Sequence, residues 1–107
     1  MSVIRLTTEN YETEIKNYAG VALIDFYADW CGPCQMLSPK VDEIAEEQTA
    51  YKICKVNVDE QGELAEAFGV SSIPTLVVMK NGEVADTHIG LCAKSRILTM
   101  LEDAENR

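Results

Sequence analysis

Trp30-Cys31-Gly32-Pro33-Cys34 places two thiols three residues apart. In the first turn of a helix that spacing brings both sulfurs to one face, within reach of a disulfide. Such a pair can exchange two electrons with a disulfide elsewhere: one thiolate attacks, a mixed disulfide forms, and the second thiol resolves it. A free thiol with a pKa near 8.5 is only about 3% thiolate at pH 7. A helix N-terminus favours the anion by about 1–2 kcal/mol, roughly one pKa unit. Cys31, at the helix mouth, is therefore the expected nucleophile, and Cys34, one turn deeper, the resolving thiol. Gly32 allows close backbone approach and Pro33 stiffens the helix start.

Zinc is the other common use of paired cysteines. It takes four ligands, usually from a second such pair or from closely spaced histidines. Here Cys54, His88 and Cys92 are scattered singly, so no metal site is expected. No bound cofactor is expected either; the redox group is the Cys31-Cys34 disulfide itself. Cys54 reads as a small buried hydrophobe. Cys92 is read mainly as a packed residue, with a reactive thiol as the alternative. His88 reads as a solvated or packed residue.

Three further residues interrupt otherwise apolar segments. Asp25 stands within Val21-Ala22-Leu23-Ile24-Asp25-Phe26-Tyr27-Ala28, where burial would raise its pKa and suit it to hold or accept a proton for Cys34. Lys55, the cation in a run suited to burial, could partner Asp25 or could snorkel from a strand edge. Ile73-Pro74 opens a strand directly after a turn. A proline there cannot donate to a ladder and often follows a cis bond, which would leave neighbouring backbone groups free to pair with an incoming peptide.

The elements that must position these residues follow from periodicity. Ser2 to Leu6 suits a short strand, and Thr8 is a candidate cap for a helix carrying Tyr11, Ile15 and Tyr18. Val21 to Ala28 is a buried strand. From Cys34, Leu37, Val41, Ile44 and Ala45 continue one helical stripe, with Pro39 inside it. Opposite the stripe, Asp42, Glu43, Glu46 and Glu47 read as a solvated face. Tyr51 to Val58 alternates as a strand. Leu64, Ala65 and Phe68 mark a short helix closed by Gly69. Thr75–Met79 and Glu83–Ile89 flank Asn81-Gly82, a two-residue hairpin signal. Ile97, Leu98 and Leu101 make a last helix. The order β-α-β-α-β-α-β-β-α implies an α/β protein, a mixed sheet with helices on both faces.

At 107 residues the chain is expected to form a single domain over residues 1–107. Nine Lys and Arg against 18 Asp and Glu leave a net charge of −9, which disfavours nucleic acid and anionic membranes as partners. No apolar run approaches the ~18 residues of a membrane span. Met1-Ser2-Val3-Ile4-Arg5 lacks the basic and apolar regions of a secretory signal. The expectation is a cytoplasmic protein, monomeric by default.

Together these segments resemble the thioredoxin family. The resemblance rests on Asp25 through Cys34, Pro39, Lys55-Val56-Asn57-Val58-Asp59, Ile73-Pro74-Thr75, Lys80-Asn81-Gly82-Glu83 and Gly90, in order and at the usual spacing. It implies the thioredoxin fold, a mixed five-stranded sheet flanked by four helices, with a cis Ile73-Pro74 bond beside the dithiol. It further implies a general protein-disulfide reductase, with Asp25 as a buried acid, Lys55 as its neighbour, and Trp30, Pro74 and Gly90 forming the substrate groove. The implied partners are a thioredoxin reductase and clients of the ribonucleotide reductase, peroxiredoxin and methionine sulfoxide reductase types. Three positions depart from the common family pattern: Tyr27 replaces a second tryptophan, Gln35 a frequent cation, and Ala93 a helix-capping Ser or Thr.

A rival within the same chemistry is an oxidase or isomerase. A rival outside it is a binding module whose dithiol is incidental. The Gly-Pro dipeptide resembles the reducing members of the family, whereas His-containing pairs mark oxidants. For a two-electron couple about 30 mV corresponds to only about 1.4 kcal/mol, so one side chain can tune the pair. Pro33→His is expected to raise the Cys31-Cys34 reduction potential by tens of millivolts in a dithiothreitol titration. An unchanged potential would show that the dipeptide is not the control.

Overall fold

The computed structural model describes residues 3–107. Its elements are β1 (Ile4–Arg5), a π-helical turn (Glu12–Lys16), β2 (Val21–Tyr27), α1 (Gly32–Glu47), β3 (Lys52–Asn57), α2 (Gly62–Ala67), β4 (Thr75–Lys80), β5 (Glu83–Ile89) and α3 (Lys94–Glu105). The strands form one mixed sheet in the order β1-β3-β2-β4-β5. β3 runs parallel to β1 and β2, and β4 antiparallel to β2 and β5. The thioredoxin fold implied by the residues is the fold observed. Ser2, the expected first residue of the opening strand, lies outside the described residues.

Strand parity divides the core into two layers, because successive side chains point to opposite faces. On one face Val21, Leu23, Ile53, Leu76 and Val78 pack against Leu37, Val41 and Ile44 of α1 and Ile97, Met100, Leu101 and Ala104 of α3. On the other, Ala22, Ile24, Phe26, Cys54, Val56, Val77 and Met79 pack with Ile15, Leu64 and Ala65, flanked by Tyr11, Tyr18 and Phe68. The stripe expected along α1 is the stripe buried. α3 buries Met100 and Ala104 in addition to the expected Ile97 and Leu101, while Leu98 is half-buried.

The entry into the first helical segment corrects the sequence reading. Thr7, not Thr8, does the capping: its Oγ1 accepts from the Glu9 and Asn10 N–H groups, and Asn10 Oδ1 accepts from Thr7 N–H at 2.7 Å. Beyond it the helix is a single wide turn, closed by a bond from Asn17 N–H to the Glu12 carbonyl. Five residues of helix are enough to bury Ile15 while Tyr11 and Tyr18 lie over the sheet. Asn81 (φ 53°) and Gly82 (φ 82°) both adopt the left-handed conformation of the two-residue hairpin turn. A side chain at Gly82 would collide with the Lys16 carbonyl, so that turn packs flush against the π-helical segment.

α3 begins at Ala93 with no side-chain cap. Ala93→Ser supplies an acceptor for the exposed N–H groups of the first turn and is expected to stabilise the chain by about 1 kcal/mol. A urea midpoint that does not rise would show that these groups are already satisfied.

Candidate active site

β2 ends at Tyr27, and a short loop carries the chain through Trp30 to α1. Cys31 is the N-cap residue of α1, with Gly32 and Pro33 opening its first turn. Its Sγ accepts a bond from Cys34 N–H at 3.2 Å, so the unsatisfied donors of the helix end point at the outer sulfur. Cys31 and Cys34 form a disulfide with their Cα atoms 5.2 Å apart. Cys34 is buried with Ala28 under the loop, as its place at the head of the apolar stripe requires. Among the described residues no cluster of His, Cys, Asp or Glu could hold a metal ion.

Around the disulfide the sheet assembles a rim. The Ile73-Pro74 bond is cis, and the Ile73 carbonyl oxygen lies 3.9 Å from Cys31 Sγ. Gly90, with φ +99°, donates its N–H to the Pro74 carbonyl at 2.8 Å and so brings the end of β5 against the cis proline. Trp30 is 71% exposed, yet its indole N–H donates to Asp59 Oδ2 at 2.8 Å. Asp59 is held in turn by Asn57, whose Oδ1 accepts the Asp59 N–H. Trp30, Val58, Val70, Ser71 and Ile73 line a shallow hollow beside Cys31. The tie from Trp30 to Asp59 escaped the sequence reading, although Asp59 stood in a stretch already singled out.

Asp25 is buried, 1% exposed, and its Oδ1 has no hydrogen-bond partner among the described residues. By parity it points to the α1 face with Val21 and Leu23, beside Lys55 on β3 and Leu76 on β4. Burial pushes its pKa up to about 6; the Lys55 charge opposes this and the Asp42 charge adds to it. Lys55 is the register neighbour of Asp25, but of the two readings left open for its ammonium the direct pairing with Asp25 is not the bond it makes. The Lys55 ammonium donates to Ser38 Oγ at 2.6 Å and pairs with Asp42 Oδ1 at 2.9 Å, both on α1. Asp25 feels that charge without bonding it. The acidic face of α1 is likewise not simply solvated: Asp42 holds Lys55, while Glu43 and Glu47 both hold Lys94 of α3.

Two other thiols stand apart from the disulfide. Cys54 is fully buried and its pKa is pushed up to about 12 by burial, which leaves it chemically quiet. Cys92 is half-buried against the α1 and α3 layer, with its pKa also raised by burial. Gln35 donates to the Asp29 carbonyl at 2.8 Å, tying the first turn of α1 back to the loop.

The thioredoxin family profile matches residues 2–103. The chain belongs to the thioredoxin family. It is 45% identical over 102 residues to a thioredoxin of Pyropia yezoensis, covering 94% of this chain and 95% of that one. It is 42% identical over 98 residues to a thioredoxin of Bacillus subtilis, covering 91% and 92%. A mutant thioredoxin from Halobacterium salinarum superposes with a TM-score of 0.88 at 38% identity, covering 97% of this chain and 91% of the other. With the family and the cysteine pair in hand, the activity is that of a thioredoxin-type dithiol-disulfide oxidoreductase. Family membership implies disulfide-containing substrates and a reductase that restores the dithiol.

The buried acid carries a stability consequence. Its folded-state pKa of about 6 exceeds the ordinary 3.8, so between these values the folded chain binds more protons than the unfolded one. Stability therefore falls as pH rises from about 4 to about 6 and is flat above. Asp25→Asn removes a desolvated charge and is expected to stabilise the protein at pH 7.5 by up to about 3 kcal/mol, an advantage that disappears near pH 4. Urea unfolding at the two pH values reads the difference; an equal change at both would mean that Asp25 is not a buried charge at neutral pH.

Proposed function

We propose that this thioredoxin acts as a reductant of client proteins in the cytoplasm, with Cys31 attacking and Cys34 resolving. The observation that carries the assignment is the asymmetry of the pair. Cys31 caps the helix and receives the Cys34 N–H, whereas Cys34 heads the buried stripe. Both sulfurs are buried, so it is the helix-end donors that distinguish them, favouring a thiolate at Cys31.

In the reduced form, Cys31 Sγ attacks one sulfur of a client disulfide. A bond forms from Cys31 to the client, and the second client sulfur leaves as a thiolate that takes up a proton. Asp25, the acid beneath α1, accepts the proton of the Cys34 thiol, and the resulting thiolate attacks Cys31 Sγ. The Cys31-Cys34 bond closes and the client's first sulfur departs, so two electrons have passed to the client. Lys55, on β3 beside Asp25 with its ammonium held by α1, supports the charged form of Asp25. A thioredoxin reductase returns two electrons to the disulfide, and ribonucleotide reductase, peroxiredoxin and methionine sulfoxide reductase type enzymes fit the client role.

The client segment lies in the rim formed by Trp30, Ile73, Pro74 and Gly90. Support comes from the Ile73 carbonyl beside Cys31, the apolar hollow from Trp30 to Ile73, and the outward position of Gly32, where an added Cβ meets nothing within 4 Å. Gly32 and Pro33 thus leave the approach to Cys31 open. No helix among the described residues is long and apolar enough to cross a membrane.

The reading is tested by trapping. Cys34→Ser, incubated with an oxidised client such as insulin, should accumulate a mixed disulfide through Cys31, visible on a non-reducing gel and located by peptide mass spectrometry. Cys31→Ser should accumulate none and lose turnover. Trapping through Cys34 instead would reverse the two roles.

A further inference from the structure

We propose that Ser38 is a positioning residue for the exchange reaction: with Asp42 it divides the Lys55 ammonium between two anchors on α1, and so sets how much positive charge the buried Asp25 carboxyl experiences. The inference rests on the reading of Asp25 as the proton acceptor for Cys34, and adds the device that would tune it.

The geometry begins with helix spacing. Cys34, Ser38 and Asp42 follow one another at intervals of four along α1 and therefore form a line down one flank of the helix. Ser38 shares a hollow with Tyr27, Ala28 and Cys34, at the thiol end of that line. Asp42 stands at the far end, with its side chain half-exposed. Beneath the line, Lys55 rises from β3 next to Asp25, its register partner on β2. Its ammonium is caught between the two, at 2.6 Å from Ser38 Oγ and 2.9 Å from Asp42 Oδ1. Among the described residues Lys55 makes no ion pair with Asp25, whose Oδ1 has no hydrogen-bond partner.

The two anchors pull in opposite directions. The Ser38 hydroxyl keeps the ammonium toward the Cys34 end of the helix, where its field stabilises an ionised Asp25. Asp42 draws it toward solvent and adds a negative charge of its own. The charged groups acting on Asp25 among the described residues are few: Lys55 from β3 and Asp42 from α1, while β4 presents Leu76 and α3 packs onto that face through the apolar Ile97, Met100, Leu101 and Ala104. In such surroundings a displaced ammonium is poorly screened and shifts a neighbouring acid strongly.

The opposed anchors give opposed outcomes. The probe is the intact chain carrying 5-thio-2-nitrobenzoate on Cys31, whose release by Cys34 is followed by absorbance across pH, together with the carbon-13 titration of the Asp25 carboxyl. Ser38→Ala leaves Lys55 to Asp42 and should move both midpoints upward by at least about half a pH unit. Asp42→Asn returns the ammonium to Asp25 and removes a repelling charge, and should move both downward. Ser38→Thr, which keeps the hydroxyl, should restore the parent profile. Midpoints that stay in place, or that move in the same direction in both variants, overturn the proposal. Asp25→Asn separates the two layers of the argument. If it abolishes the inflection while Ser38→Ala and Asp42→Asn leave it in place, only the positioning role falls. If it leaves the inflection intact, the role of Asp25 falls and the role of Ser38 with it.

Discussion

Everything distinctive about this molecule depends on how α1 lies across the sheet. Leu37, Val41 and Ile44 are buried against Leu23, Ile53, Leu76 and Val78, and that contact sets the height and rotation of the helix. Its N-terminus then falls at the end of β2, where the Cys31 sulfur meets the helix donors and the Ile73 carbonyl. The same rotation seals Asp25 beneath the helix and lays Ser38 and Asp42 over Lys55. Burying side chains of this size stabilises by about 1.5–3 kcal/mol each, ample to hold a desolvated carboxyl in place.

The site is consequently a balance between apolar packing and charge. A carboxyl buried without a hydrogen bond to one oxygen is costly, and the chain carries it on the central strand of the sheet. The neighbouring lysine does not neutralise it directly but bonds to the helix above. Asp25 thereby remains able to change protonation near neutrality, which a tight ion pair would prevent by lowering its pKa. The net charge of −9 adds to the pressure, and α1 relieves part of it by spending Asp42, Glu43 and Glu47 on the Lys55 and Lys94 ammonium groups.

Local order around the disulfide comes from polar ties that are separate from the core. Trp30 is fastened to Asp59, Asp59 to Asn57, Gln35 to the Asp29 carbonyl, and Gly90 to the Pro74 carbonyl. These bonds fasten the Trp30 loop to the Asn57–Asp59 segment and the end of β5 to Pro74. They allow a large apolar ring to stand in solvent in a defined orientation, which packing alone would not provide.

Sequence alone determined the cysteine pair, the helix it caps, the apolar stripe behind it, the hairpin at Asn81-Gly82 and the order of strands and helices. Each is a local matter: spacing, period and turn chemistry are read within a few residues. The burial of Asp25 was legible because the strand around it is apolar on both faces, and the quiet character of Cys54 because it falls on the apolar side of an alternating strand. The capping role of Thr7 and the partners of Lys55 and Trp30 were not. Thr7 and Thr8 are equivalent as residue types, and only the path of the chain chooses between them. Lys55 bonds to residues 17 and 13 positions away on another element, and Trp30 to one 29 positions away. A long side chain has several acceptors within reach, and the winner is set by how far the helix is rotated over the sheet. Rotation and height are properties of packing between elements, and no pattern within one element encodes them.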